Sequence, residues 1–232
     1  MFTGVLPAAH GCDRHDSAIP GAAPTFPEVL KKHGYFCAGV VSNPFLHGKF
    51  GFARGFDEYD DESVFLDAEL GLFKADSAHE SGTVGEVVTA DSVNQQAVCL
   101  LGKARDSGQP FFLFVVYFDP HDSYVPPPFD RKFDADYSGS VDGRQLVAMR
   151  HAPPPKRDLE HLVARYDGEI AYIDRMVARL LDQVDLVSDP EHTLVILVSD
   201  HGEAFAEHGS LLHGNSPHGE EVMVPMICTG RA

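Results

Sequence analysis

The sequence predicts an α/β fold, a mostly parallel sheet sandwiched by helices, and three features carry that reading. Short continuous apolar runs stand at Phe111 to Phe118 and Thr193 to Val198, a long apolar stripe of helical spacing runs from Leu159 to Val184, and such segments alternate along the chain. An apolar run that is too short for an ordinary helix and bounded by turn residues fits a parallel strand buried on both faces. Its alternation with helices points to a sheet covered on both sides.

Taken in order, Thr25 to His33 reads as a short helix, with Thr25 as cap, Glu28 three residues later and Gly34 as the stop. A strand is expected at Tyr35 to Val41, ended by Ser42-Asn43-Pro44, where proline prevents continuation and the polar pair suits a turn. Residues 47 to 83, rich in Gly, Asp and Phe without periodicity, read as irregular. Val93, Ala97, Leu100, Leu101 and Ala104 place a helix over Thr89 to Arg105, closed by Gly108-Gln109-Pro110 before the strand at 111 to 118. Two triple-proline runs, at 126 to 128 and 153 to 155, make 120 to 158 a loop crossing the surface. Leu162, Val163, Tyr166, Ile170, Ile173, Val177, Leu180 and Leu181 then mark the helix Leu159 to Val184. Buried strands at Thr193 to Val198 and Val224 to Cys228 complete the pattern, without internal repeats.

At 232 residues and 44% hydrophobic composition, one domain with its own core is the default. The net charge of -17 opposes nucleic acid or an anionic membrane as partner. The longest apolar run is far short of the roughly 20 residues that span a bilayer, and Met-Phe-Thr-Gly-Val-Leu-Pro has no signal-peptide character, which makes the cytoplasm the default compartment. Cys12, Cys37, Cys99 and Cys228 are too scattered for a disulfide framework and read as reduced. No feature sets an oligomeric state.

Ligands of open α/β sheets bind beyond the carboxyl ends of strands, and three strand ends here carry polar clusters: Ser42-Asn43, Asp119-Pro120-His121-Asp122 and Ser199-Asp200-His201-Gly202-Glu203. Asp200 beside His201 is a natural half-site for a divalent metal, although an aspartate there also suits the cap of a following helix. His121 suits a general acid or a cation contacting an anionic ester, or a structural role. His208, His213 and His218 recur every five residues, a spacing that no helical zinc motif uses and that also fits solvated loop residues.

Together and in order, these segments resemble the sulfatase family of the alkaline phosphatase-like superfamily. The matching stretches are Thr3-Gly4-Val5-Leu6-Pro7 with His10-Gly11, FPEVLKKHGY from Phe26 to Tyr35, Val41-Ser42-Asn43-Pro44, and Arg54-Gly55-Phe56-Asp57. They continue with Pro110 to Pro120 and His121, YDGEIAYIDR from Tyr166 to Arg175, SDHGE from Ser199 to Glu203, and VMVPMI from Val222 to Ile227. The resemblance implies a metal-dependent sulfuric ester hydrolase with Asp200 and His201 as metal ligands, His121 and His213 as catalytic contacts to the ester, and Asn43 in the substrate pocket at a position where other members carry a basic residue. Oxygen-rich ligation favours Ca²⁺ first, or Mg²⁺, while His201 also permits Mn²⁺ or Zn²⁺. The partner implied is a sulfate-ester, or phosphate-ester, small molecule or glycan.

By the same resemblance, residues 1 to 232 form a partial sulfatase catalytic domain. The family's first strand with paired aspartates, and the Cys- or Ser-x-Pro-x-Arg nucleophile motif that bears formylglycine, are expected before Thr3, and further sequence after the final strand. No nucleophile is found in the chain, and Cys12 lacks the Pro-x-Arg that should follow. These departures keep two alternatives open: a phosphodiesterase or phosphonate monoester hydrolase of the same superfamily, and a non-catalytic fragment or pseudoenzyme.

Overall fold

The computed structural model describes residues 2–12, 17–62, 90–125, 129 and 131–230. They divide between two compact units. The first holds the chain up to Phe118 together with Arg179–Val187, and the second holds Asp119–Ala178 and Ser188–Ala232.

In the first unit a helical turn α1 (Pro7–His10) precedes helix α2 (Phe26–Lys32). The expected capping box at its start is formed: Thr25 Oγ1 accepts from Glu28 N and the Glu28 carboxylate accepts from Thr25 N. Strand β1 (Phe36–Val41) lies at the centre of a parallel three-stranded sheet between β2 (Glu58–Asp60) and β3 (Phe111–Val116), in a register that pairs Phe36 with Phe111 and Val41 with Val116. β2 falls inside the stretch read as irregular. Its three residues are too few to show a period, and pairing to Ala38 through Val40 is what makes them a strand. The rest of that reading, residues 63 to 83, lies outside the described residues.

Alternation along β3 separates two packings. Phe111, Leu113 and Val115 face a core of Ala38 and Val40 with Val93, Ala97, Leu100 and Leu101 of helix α3 (Ala90–Ser107). Phe112 and Phe114 face Phe2, Phe26 and Phe56, edge-on in the Phe2–Phe114 and Phe26–Phe112 pairs and stacked or tilted against Phe56. Arg54-Gly55-Phe56-Asp57 ties this side together. Arg54 forks onto both Glu28 oxygens and reaches the Pro20 and Ala23 carbonyls, and Asp57 accepts from Cys37 N. Gly55 has φ +88°, and a Cβ there would fall 2.2 Å from Glu28 N, so the backbone of α2 occupies the space a side chain would need.

The second unit begins where the proline-rich segment starts, and that segment is more than a surface loop. Tyr124, Val141 and Leu146 from it enter a core with Leu162, Leu211 and Leu212, because a buried tyrosine that finds a hydroxyl partner is as good a core residue as an aliphatic one. It contains a helical turn, α4 (Leu146–Met149), and ends in helix α5 (Lys156–Asp185). Asp134 fastens it to α5 by accepting from both Arg157 Nη atoms, at 2.7 and 2.6 Å, and from His161 Nδ1 at 2.8 Å, while the Tyr137 ring lies 3.6 Å over His161. Arg157 first, with His161, holds the Asp134 carboxyl down to about 2. The last turns of α5 carry Leu180 and Val184, which belong to the core of the first unit.

Beyond α5 come β4 (Val195–Val198), β5 (Ala204–Phe205), β6 (Leu211–Leu212), the turn α6 (Gly219–Val222) and β7 (Met226–Thr229). Here the reading of buried parallel strands needs correction. β4 and β7 pair antiparallel, and β7 is exposed along its length, since among the described residues only β4 is hydrogen-bonded beside it. An apolar run reports hydrophobicity and not the direction of its neighbour.

Two glycines test this account. Gly55→Ala is expected to lower unfolding free energy by about 2 kcal/mol or more, from the left-handed φ and the overlap with α2. Gly102→Ala, in the interior of α3 with open space around it, should raise it by about 0.5–1 kcal/mol. Urea denaturation of both variants measures the contrast.

Candidate active site

The segment after β4 builds the site residue by residue. Ser199 Oγ donates to the His201 carbonyl at 2.6 Å, and Asp200 Oδ1 accepts from His201 N at 3.1 Å. No helix follows Asp200, since the next regular element is β5, which removes the helix-cap reading. Gly202 is required by close approach: its N–H donates to Glu221 O at 2.8 Å, and a Cβ would lie 2.1 Å from Glu220 O. The next side chain, Glu203, is turned inward and is only 5% exposed.

Glu203 organises its surroundings. One carboxylate oxygen accepts from the Tyr124 hydroxyl at 2.8 Å and the other from His213 Nδ1 at 3.1 Å. Leu212, fully buried, takes a left-handed φ of 68° immediately before His213. A non-glycine residue adopts that region only when the surrounding packing over-determines it. The His213 ring stacks on His201, centroids 3.9 Å apart, and meets the edge of His121 at 5.2 Å.

Each of these imidazoles is anchored through Nδ1: His201 to Gly202 O at 2.8 Å, His213 to Glu203, and His121 to Asp122 Oδ1 at 2.7 Å. Oxygens of this kind accept, so Nδ1 carries the proton in each ring and the further chemistry of each lies at Nε2. Burial opposes a charge on His121, but its bonds to Asp122 and the charges of Asp122 and Glu203 outweigh that and hold its pKa above the ordinary histidine value. Burial likewise opposes the charge of Asp122, yet the His121 bond and the charges of His121, His213 and Arg150 keep its carboxyl below the usual range.

Helix α5 supports the loop that bears His121. Arg165 Nε donates to Tyr124 O at 2.7 Å, and Glu169, 3% exposed, is bonded to the Val125 backbone. Burial first, then the charge of Asp119, pushes the Glu169 carboxyl up to about 7.

The structure therefore brings together His121, His213 and His201, with Asp200 next to the last. Asn43 belongs to the first unit, where its Oδ1 caps a short turn by accepting from Phe45 N at 2.9 Å. His208 and His218, two of the histidines spaced by five, stack on each other at 3.6 Å, with His208 bonded to Glu220. For a cation, Asp200 Oδ1 and His201 Nε2 lie 3.8 Å apart, a span that one ion bound at roughly 2.1 Å to each can bridge. They fit two positions of a coordination shell, and among the described residues no group of three His, Cys, Asp or Glu side chains is placed to complete one.

The family description Sulfatase matches residues 1–230. The chain belongs to the sulfatase family. Mouse iduronate 2-sulfatase is 24% identical over 226 residues, which cover 80% of this chain and 41% of that protein. A structure solved in complex with its substrate D-glucosamine-2-N,6-O-disulfate superposes with a TM-score of 0.67 at 14% identity, over 99% of this chain and 60% of that one. The phosphonate monoester hydrolase of Agrobacterium radiobacter gives 0.64 at 19% identity, over 99% and 57%. The chain thus spans about 40 to 60% of the length of these sulfatase relatives and neighbours, and its fold is the alkaline phosphatase-like α/β fold.

Tyr124, Asp122 and Glu169 were not among the site residues read from the sequence. A signal for part of this set exists. His161, Arg165 and Glu169 recur every four residues on α5 and are all buried, and polar groups on the inward face of an amphipathic helix mark a polar site beneath it.

Two measurements follow. Tyr124→Phe should cost about 1–3 kcal/mol in urea denaturation, because it strips a partner from the buried Glu203 carboxylate. Glu169 has its folded pKa raised from 4.5 to about 7, so its contribution to stability is fully present below 4.5 and lost as pH rises through about 7. Glu169→Gln should flatten the fall in unfolding free energy across that window, and a profile identical to wild type would show that Glu169 does not titrate there.

Proposed function

We propose that this chain serves the hydrolysis of sulfate esters, with a divalent cation held in part by Asp200 and His201. The observation that carries the reading is the cluster of His121, His213 and His201 with their anchored Nδ1 atoms, found in a chain of the sulfatase family. A cation there would supply charge neutralisation on the transferring group, the largest source of help in such chemistry. Carboxylate ligation favours Ca²⁺, with Mg²⁺ next, and the imidazole also admits Mn²⁺ or Zn²⁺.

His121 acts as general acid. Its raised pKa keeps it charged closer to neutrality, its Nδ1 is occupied by Asp122, and Nε2 delivers the proton to the departing alcohol oxygen. His213, held by Glu203, contacts a non-bridging oxygen of the ester. The disulfated glucosamine of one neighbour and the iduronate sulfatase among the relatives support a sulfated sugar as substrate. The likeness to phosphonate monoester hydrolases supports a second reading, a phosphorus ester in the same site.

The test is an aryl sulfate and an aryl phosphate assay, each with added Ca²⁺ or Mn²⁺, on a full-length enzyme that carries the nucleophile segment, as wild type and as His121→Ala. Preference for sulfate, with turnover at least about tenfold lower in the variant, supports the proposal. Preference for phosphate transfers the site to the second reading, and hydrolysis of neither favours a non-catalytic role.

A further inference from the structure

In a chain of 35 acidic and 18 basic residues an exposed cation readily finds a carboxylate. Lys31 pairs with Asp57, Lys103 with Glu58, Arg105 with Asp106 and Lys156 with Glu160. The second unit departs from this rule at one place. Arg131, Lys132 and, on α5, Arg175 are exposed and form no ion pair among the described residues.

Aromatic rings gather two of these cations. Lys132 Nζ lies 4.9 Å from the centroids of both the Phe129 and the Phe133 rings, and the Arg175 guanidinium lies 4.4 Å from that of Phe129. A turn sets the spacing, with Lys132 N donating to Phe129 O at 3.0 Å. A ring face attracts a cation through its quadrupole and carries no net charge, so the positive charge stays open to an anion from outside. Phe133 is 48% exposed and presents an apolar face beside Lys132. From Phe129 to Phe133 the sequence holds two bases to one acid. Asp134, the next residue, is taken by Arg157 and His161. Asp174 precedes Arg175 on α5, where successive side chains point about 100° apart.

We propose that Phe129, Arg131, Lys132, Phe133 and Arg175 form a binding surface for a sulfated saccharide chain, sharing no residue with the histidine cluster. The cations take sulfate groups, and the exposed Phe133 ring packs its negative face against the C–H face of a sugar. The choice of a sulfated saccharide among polyanions rests on the sulfate-ester reading of the site. A lone inorganic ion gains little from exposed cations, whereas a chain bearing several sulfates meets them together and gains by multivalency. A nucleic acid or an anionic bilayer meets a protein over a wide area, where a net charge of -17 opposes contact. A saccharide chain is narrow enough to touch the basic patch alone.

Calorimetry tests this by titrating the chain with dextran sulfate and, in separate arms, with uncharged dextran, a single-stranded oligonucleotide and phosphatidylserine vesicles. The variants are R131Q/K132Q, F133A and K103Q, the last removing the same kind of charge from the first unit, where Lys103 pairs with Glu58. Dextran sulfate is expected to bind tightest and uncharged dextran not at all. R131Q/K132Q should weaken dextran sulfate at least about tenfold and F133A several-fold, with K103Q within about twofold of wild type. Binding untouched by R131Q/K132Q or by F133A, or lowered as much by K103Q, overturns the surface. Tighter binding of the oligonucleotide or the vesicles overturns the saccharide as its partner. Should R131Q/K132Q fail to fold, R131Q alone decides by the same criterion. Hydrolysis of an aryl sulfate needs one ester and no chain, which separates the two readings. Hydrolysis without patch-dependent binding overturns the surface and leaves the ester site standing. Patch-dependent binding without hydrolysis overturns the ester reading and leaves the surface.

Discussion

The second unit depends on one buried carboxylate. Glu203 sits at 5% exposure with a phenol on one oxygen and an imidazole on the other. Removing a carboxylate from water is costly unless both oxygens are satisfied, so the positions of Tyr124 and His213 are set by the need of Glu203 for partners as much as by their own packing. Tyr124 is in turn held by its carbonyl to Arg165 on α5. His213 is delivered by a left-handed Leu212 whose side chain fills the same core as Tyr124. Helix, proline-rich segment and post-β4 turn meet through this group, and a change at any of the three is transmitted to the histidine cluster.

How much of this was legible depended on the range of the signal. Elements whose evidence is local were read well: the capping box at Thr25, the stripe on α5, and the apolar runs that became β3 and β4 all carry their periodicity or chemistry within a few residues. β2 was missed because a three-residue strand exists through its neighbour β1 and not through its own sequence. The direction of β7 was equally invisible, since parallel and antiparallel partners ask for the same apolar residues. The proline-rich segment looked like surface because proline argues against helix and strand, yet irregular backbone can carry core side chains such as Tyr124 and Val141.

The site divided along the same line. Asp200, His201 and His121 were visible as residue types at strand ends and His213 through the family resemblance, and the structure does gather the three histidines. Asp122, beside His121, and Glu203, ten residues before His213, lay within the quoted clusters, but the Tyr124 anchor was not visible, because it joins Glu203 from 79 residues away in sequence. Pairing over such distances leaves no spacing to read.

A net charge of -17 stands against the anionic ester proposed for this site, and distance resolves the conflict. At physiological ionic strength charges separated by more than roughly 8 Å in solvent are largely screened, so most of the acidic surface exerts little force at the site. What acts there is short-range and partly buried: three imidazoles whose Nδ1 atoms are anchored to oxygen, one of which, His121, is kept more readily protonated by Asp122. Asp122 accepts from His121, and Glu203 accepts from His213 and the Tyr124 hydroxyl, so each of these carboxylates has its hydrogen-bond partners before a ligand arrives. The same arrangement makes the site sensitive to its anchors. An imidazole released from its carboxylate loses the bond that fixes which nitrogen holds the proton, and the carboxylate left behind becomes an uncompensated negative charge in the path of an anion.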